Sequence, residues 1–258
     1  MHPVLFNLGP FTIQSYGFLI ALGTLIGYFY LTKNAKEQLG VDKDSTQSMT
    51  ILFLLAAVIG GKFFFYLERP VYYFGDPGNL FKNLKNGFVF YGSLIFVVIT
   101  LIWYLKKKSI PILPMLDILA FSGVIIHGFG RLGCFFAGCC YGKETDGSIY
   151  VVFSNQDSFA PTDVHLHPTQ LYSVLLLITI FIILWMFKRH QRFEGQLFFL
   201  YIILYAIGRG VIEIFRGDLR RGFIIEDWIS HSQMISIVII SIVAFFYIRE
   251  YKKNNKVT

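Results

Sequence analysis

Two arginines stand inside apolar runs, where a fixed cation is costly. Arg131 falls in Ile126-His127-Gly128-Phe129-Gly130-Arg131-Leu132, and Arg209 in Ile207-Gly208-Arg209-Gly210-Val211. An arginine at the centre of a membrane helix is unfavourable by about 2.5–3.5 kcal/mol on insertion scales, so it marks a functional path by default. His127 and Arg131 are four apart and share one helix face. Arg209, Glu213 and Arg216, spaced four and three, form a second stripe. Glu213 either orients Arg209 by a charge-assisted hydrogen bond that leaves donors free, or forms a purely structural ion pair with it. Two buried arginines beside one acid leave surplus positive charge. Such a site asks for an anion, and a guanidinium fork matches phosphate. At membrane depth the available phosphate is that of a phospholipid.

Three residues are candidates for moving a proton beside that charge: His127, Tyr91 and Glu213. His127 is preferred, because an unperturbed pKa of about 6.5 suits a base near neutrality. Its alternative is helix packing with a single hydrogen bond. Tyr91, with a free value of about 10, is better placed to donate to an ester or phosphate, as is Tyr16. The three cysteines, Cys134, Cys139 and Cys140, fit neither a disulfide framework nor a four-ligand zinc site. His165 and His167 add no regular ligand spacing, so no metal is expected. Gly128 to Gly133 formally matches GxGxxG, but it follows a membrane helix and not a strand, which removes the dinucleotide reading. Its glycines are expected to permit close helix approach or a bend. Gly138 to Gly142 reads as the turn leaving that helix. His2, His190 and His231 read as surface residues.

The elements that must position these groups are helices at roughly 12–31, 49–67, 88–105, 112–137, 168–187, 195–215 and 232–249. This is the pattern of an all-α polytopic membrane protein, a single helical domain over 1–258. Two long connections, about 68–87 and 138–167, are expected to form a small extracytoplasmic cap. The first carries the turn signal Asp76-Pro77-Gly78-Asn79, and the second a short strand over 148–153. With the N-terminus outside, about thirteen basic residues face the cytoplasm and about seven the other side. The bias predicts N-out, C-in. On that topology Tyr16, Lys62, Tyr91, His127, Arg131, His167, Gln170, Tyr172, Arg209, Glu213, Asp227 and His231 all approach the outer face. Arg220 and Arg221 read as side chains snorkelling to the interface.

Composition agrees. Hydrophobic residues make up 55% of the chain and charged ones 15%, against about 25% charged in a soluble domain. The net charge of +7 lies at helix ends without a basic stripe, which argues against nucleic acid. The first eleven residues lack the basic region of a signal peptide, so the first apolar segment is expected to stay.

In these motifs the chain resembles the prolipoprotein diacylglyceryl transferase family. The resemblance runs through Tyr16-Gly17, Phe90-Tyr91-Gly92-Ser93-Leu94-Ile95 and Gly130-Arg131-Leu132-Gly133-Cys134-Phe135 with Gly138 and Gly142. It continues through His167-Pro168-Thr169-Gln170-Leu171-Tyr172, then Arg209, Glu213, Phe215 and Arg216. It covers nearly the whole chain. It implies transfer of a diacylglyceryl group from phosphatidylglycerol to the lipobox cysteine of a preprolipoprotein signal peptide. The products are a thioether and glycerol 1-phosphate. It implies a site on the extracytoplasmic side of the bacterial inner membrane, and the alkyl-transfer chemistry is expected to need no metal or organic cofactor. By resemblance Arg131 and Arg209 match the family's key arginines, and Tyr16 and Glu213 match functional positions; together with the proton-transfer candidates His127 and Tyr91 these residues are expected to serve catalysis. Tyr16, Cys134, Gly138, His167, Gln170, Tyr172 and Arg216 join Arg131 and Arg209 in binding substrate. Where many members have His-Gly-Gly in the third helix, this chain has Tyr91-Gly92-Ser93. Where many have Asn after the Gly-Arg-Leu-Gly segment and an acid after Gly138, it has Cys134 and Cys139. Where many have Glu after the His-Pro-x-Gln-Leu-Tyr motif, it has Ser173.

Two other functions remain open from the sequence. An anionic lipid transporter would explain buried arginines, but predicts polar residues through the inner half as well, where Leu175 to Ile178 and most of Ile237 to Phe246 are apolar. A non-catalytic lipid- or lipoprotein-binding paralogue is compatible with Tyr91, Cys134 and Cys139.

Overall fold

Long apolar runs become helices because a backbone in hydrocarbon can satisfy its polar groups only internally. A computed structural model describes residues 2–8, 11–83, 87–217, 223–225 and 229–254. Lys85, Arg220, Arg221, Asp227 and Lys256 lie outside the described residues. In chain order come a hairpin of β1 (Val4–Leu8) and β2 (Phe11–Gln14), then α1 (Ser15–Leu39) and α2 (Lys43–Leu67). Two short helices follow, α3 (Pro70–Gly75) and α4 (Pro77–Lys82), each opened by a proline, whose missing N–H costs nothing there. Next are α5 (Phe90–Lys107), α6 (Ile112–Ala137), α7 (Thr169–Phe187) and α8 (Gln196–Ile214). A two-stranded pair, β3 (Phe223–Ile225) with β4 (Ile229–Ser230), leads into α9 (His231–Asn254). Among the described residues, seven helices are long and apolar enough to cross a membrane: α1, α2 and α5 to α9. Large apolar side chains such as Phe29, Leu55, Leu175 and Phe245 are exposed. Lipid tails are as apolar as leucine, so those faces suit a bilayer.

The chain packs as two compact units, one of Met1–Leu31 with Leu116–Thr258 and one of Thr32–Met115. In the second unit α2 and α5 approach closely at Gly60 and Gly92, where a Cβ on either would meet the other's carbonyl oxygen at 2.5 Å. Ser93 Oγ donates to Ala57 O there (2.7 Å), and Tyr104 OH donates to Ser45 O (2.8 Å). Lys62 Nζ donates to Gly87 O (2.9 Å), so this lysine holds the chain entering α5.

In the first unit a pair of small residues four apart, Gly23 and Gly27 of α1, admits Phe129 and Ile126 of α6. This is the close approach that small-xxx-small spacing permits. Ser122 Oγ donates to Gly27 O (3.1 Å) at the same crossing. The core between α6, α7 and α8 is built from Phe121, Val124, Leu177, Ile180, Leu184 and Leu197. At one end of α8, buried Asp117 of α6 supplies the cap that α8 lacks. Its carboxylate accepts from Gly195 N (2.6 Å), Gln191 Nε2 (2.6 Å) and Phe198 N (3.0 Å). The two backbone N–H groups, of Gly195 and Phe198, are otherwise unpaired donors of a helix N-terminus.

The structure corrects three expected boundaries. Residues 12–14 belong to β2, so α1 starts at Ser15, and it runs eight residues past Leu31 through good helix formers until Gly40 (φ +66°) ends it. The second long helix begins at Lys43, not near Met49, because Asp42 caps it by accepting from Ser45 N (3.2 Å). The strand expected over 148–153 shrinks to isolated bridges. Val151 pairs antiparallel with Leu166 and Phe153 pairs parallel with Thr162, and bridges of opposite sense cannot continue one ladder.

Replacing Asp117 by Ala leaves buried N–H groups of α8 without a partner. The expected loss of stability is about 1–3 kcal/mol, read by denaturant titration in mixed micelles, with Asp117→Asn losing less.

Candidate active site

Tyr201, Tyr205, Arg209 and Glu213 follow one another at intervals of four along α8, so they form one stripe. The α6 stripe of His127, Arg131 and Cys134 meets it. Arg131 Nη2 donates to Tyr205 OH (3.2 Å). His127 Nδ1 lies 3.3 Å from Tyr201 OH, and its ring centroid is 4.5 Å from that of Tyr205. Arg209 forms an ion pair through Nη1 with Glu213 Oε2 and donates through Nη2 to Ser232 Oγ of α9 (3.3 Å). Arg216 Nη1 stands 3.7 Å from the same Glu213 oxygen. Glu213, 2% exposed, therefore holds two guanidinium groups in place, and removing it would strand buried charge.

Backbone pairing brings the rest of the site together. Gly142 N donates to His167 O (3.1 Å), His167 N to Lys143 O (3.0 Å), Lys143 N to Phe215 O (2.8 Å) and Gly217 N to Tyr141 O (3.1 Å). Gly142 has no space for a side chain, because the carbonyl oxygens of His167 and Phe215 occupy it. The three segments stitched in this way gather Arg131, Arg209, Arg216, Cys140, Thr169, Gln170, Ser173 and Ile212 around a small cavity of about 10 Å³. Thr169 Oγ1 donates to Cys140 O (2.7 Å), and Gln170 Nε2 donates to Cys139 O (2.8 Å). A carbonyl only accepts, which fixes the orientation of the Gln170 amide. Its Oε1 is buried and has no partner among the described residues. The cavity thus presents three cationic forks and, among the described residues, one unused acceptor.

The family model described as prolipoprotein diacylglyceryl transferase matches residues 3–249 of this chain. The chain belongs to that family. It is similar to a phosphatidylglycerol–prolipoprotein diacylglyceryl transferase of Clostridium tetani, 40% identical over 98% of this chain and 100% of the relative. A second relative, from Clostridium perfringens, bears the same name with the suffix 2 and is 33% identical over 93% and 92% of the two chains. One from Staphylococcus aureus is 31% identical over 98% and 90%.

Within this member of the diacylglyceryl transferase family, the residues singled out from the sequence separate into groups. Arg131, Arg209, Arg216 and Gln170 line the cavity, and Glu213 holds two of them. His167 and Tyr172 bond to each other (3.2 Å) and pack on Phe215, supporting the strand-like contact beside Arg216. Tyr16 lies against Gly133, with its Cα 3.2 Å from where a Cβ would be. Tyr91 belongs to the other unit, half exposed in the first turn of α5. Of the glycines in the GxGxxG segment, Gly133 serves close approach, while Gly128 and Gly130 face open space. Tyr201, Tyr205 and Ser232 were not singled out from the sequence, and Thr169 and Ser173 entered only through the His167–Tyr172 motif and its departure. Tyr205 was legible there, since it stands four residues before Arg209.

The cysteines converge although their spacing is irregular. Gly138, at φ +77°, ends α6. Its N–H donates to Phe135 O (3.3 Å), and that of Cys139 donates to Cys134 O (3.1 Å). This double return is the Schellman motif. Cys140 also adopts a positive φ, +59°. The three sulfur atoms end within 4.8 Å of one another. The Cys139 thiol donates to Cys134 O (3.7 Å).

Gly138→Ala forces a side chain into a left-handed position and into Ser158 Oγ. The turn should open, at a cost of about 1 kcal/mol or more. Maleimide should then label Cys139 and Cys140 several-fold faster than in the parent, a rate read by mass spectrometry.

Proposed function

We propose that this protein transfers the diacylglyceryl group of phosphatidylglycerol to the lipobox cysteine of a preprolipoprotein signal peptide, releasing glycerol 1-phosphate. The observation that carries the reading is the cluster of Arg131, Arg209 and Arg216 around one cavity in a member of this family. The reaction is an alkyl transfer: sulfur attacks a glycerol carbon and a phosphate ester leaves. Charge grows on the leaving phosphate, so guanidinium donors bind it more tightly in the transition state than in the ground state. The relatives named above carry the transferase name, which favours this reading over a transporter or a non-catalytic binder.

The cavity has room for about one water. A phosphate enters by moving the guanidinium groups off their resting partners, Tyr205 for Arg131 and Glu213 for Arg209. The lipid arrives sideways from the leaflet and the signal helix approaches with its cysteine at the interface. The topology is N-out, C-in, with the site on the extracytoplasmic face of the inner membrane, near the folded 138–167 segment. That segment has a small core of its own, Phe153, Ala160 and Leu166, and serves as the peptide-contacting arm. In intact cells a membrane-impermeant maleimide then reaches a cysteine introduced at exposed Asp146 (Asp146→Cys); its protection until the membrane is permeabilised would reverse the topology.

In a transfer assay with phosphatidylglycerol and a lipobox peptide, Arg131→Ala and Arg209→Ala should each lower turnover by about 10²–10³. Near-parental rates in correctly inserted variants would remove the phosphate clamp.

His127 reaches the site through Tyr201 and Tyr205, so it acts as a positioning residue for Arg131. His127→Asn should lower the rate while the acidic limb of the pH–rate profile persists. Loss of that limb would make His127 the proton acceptor.

A further inference from the structure

The thiol of the acceptor peptide, with a free pKa near 8.5, is only a few per cent thiolate at neutral pH. The reaction therefore needs a group that removes its proton. Glu213 is engaged with Arg209 and Arg216, and His127 is turned to Tyr201. Beside the cavity stands a cluster that the arginine chemistry does not use.

Cys134 ends one helix stripe, and the Schellman turn at Gly138 folds Cys139 and Cys140 back over it, so three sulfur atoms lie within 4.8 Å of one another. Three thiolates at about 2.3 Å from one tetrahedral zinc ion sit roughly 3.8 Å apart, so the cluster is close to the size such an ion needs. Its backbone is buttressed: Gln170 and Thr169 donate to the carbonyls of Cys139 and Cys140. Outer partners of this kind fix the orientation of metal ligands. Charge also balances, since three thiolates and a divalent ion carry −1 and Cys140 shares the cavity wall with Arg131 and Arg216. Three protein ligands with a fourth position for a reactant is the form of a catalytic zinc site, whereas structural sites are closed by four.

We propose that Cys134, Cys139 and Cys140 bind a thiophilic divalent ion, zinc in class, whose fourth position takes the sulfur of the incoming lipobox cysteine. The proposal rests on the transferase reading. The peptide thiol coordinates through sulfur and gives its proton to water, because a thiol on such an ion is deprotonated outright. The metal-bound sulfur attacks the glycerol carbon that carries the phosphate ester. The S–C bond forms as the C–O bond breaks, and the electron pair leaves with the phosphate oxygen toward Arg131 and Arg209. Nothing is oxidised or reduced. The product thioether is a weaker ligand than a thiolate and vacates the ion.

The test uses full-length protein in nanodiscs, kept reduced with a phosphine and loaded with Co²⁺ as the spectroscopic stand-in for zinc. One Co²⁺ per chain is expected, with thiolate charge-transfer and tetrahedral ligand-field bands. Cys134→Ser, Cys139→Ser and Cys140→Ser should each weaken binding by at least about tenfold. A lipobox peptide should shift the ligand-field bands, and the same peptide with Ser for Cys should not. Chelation should lower transfer by about tenfold or more, restored by Zn²⁺. No cobalt binding by reduced protein, or a native disulfide that leaves a single titratable thiol, overturns the site. Cobalt bands that ignore the peptide, or transfer that survives chelation, overturn its role in the reaction. If the peptide shifts the bands but phosphatidylglycerol yields no lipidated product, the metal site stands and the transferase reading falls.

Discussion

Everything in the first unit answers to one constraint: a guanidinium cannot be left unpartnered away from water. Arg131 leans on Tyr205, and Arg209 on Glu213 and Ser232. Each partner comes from a different helix or a different turn. The cost of stranding a buried charge, several kcal/mol, thus fixes how α6, α8 and α9 register against one another. Asp117 does the same at the other end of α8 with a carboxylate against backbone donors. The helix that carries Arg209 is clamped electrostatically at both ends, with the hydroxyls of Tyr201 and Tyr205 meeting His127 and Arg131 between them.

The loops obey a steric rule instead. Gly142 sits where two carbonyl oxygens converge, and Gly217 lies against the Gly142 carbonyl. These contacts turn three separate stretches of chain into one platform under the arginines. The cysteine turn hangs from the same platform through Thr169 and Gln170. Backbone hydrogen bonds hold the loops, side-chain charge holds the helices, and the cavity forms where the two systems meet.

The helices and the arginine stripes were legible in the sequence because both depend on local periodicity: apolar runs of membrane length, and polar residues repeating at three and four. The family resemblance was legible for the same reason, since its motifs lie on those stripes. What escaped was non-local. The contact of Gly23 and Gly27 with α6 needs a partner helix to be recognised. The meeting of three cysteines depends on two positive-φ residues, Gly138 and Cys140, which spacing alone does not announce. The extra turns of α1 and α2 beyond the apolar runs come from helix propensity and from the Asp42 cap, signals that hydrophobicity conceals. Tyr91 shares a motif with the family but stands in the other unit, and no reading of stripes relates it to Arg131.

The size of the cavity has a consequence for traffic through it. A site with room for about one water binds a free anion weakly, because the anion must first part each arginine from its resting partner. A phosphate tethered to a lipid meets the site at the effective concentration set by its own leaflet, and so can saturate even a weak site. Once the diacylglyceryl anchor has moved to sulfur, the departing glycerol phosphate has lost that tether and is diluted into bulk water. Loading and release then run in opposite directions without any change in intrinsic affinity, and dissolved phosphate in the surroundings is a poor competitor.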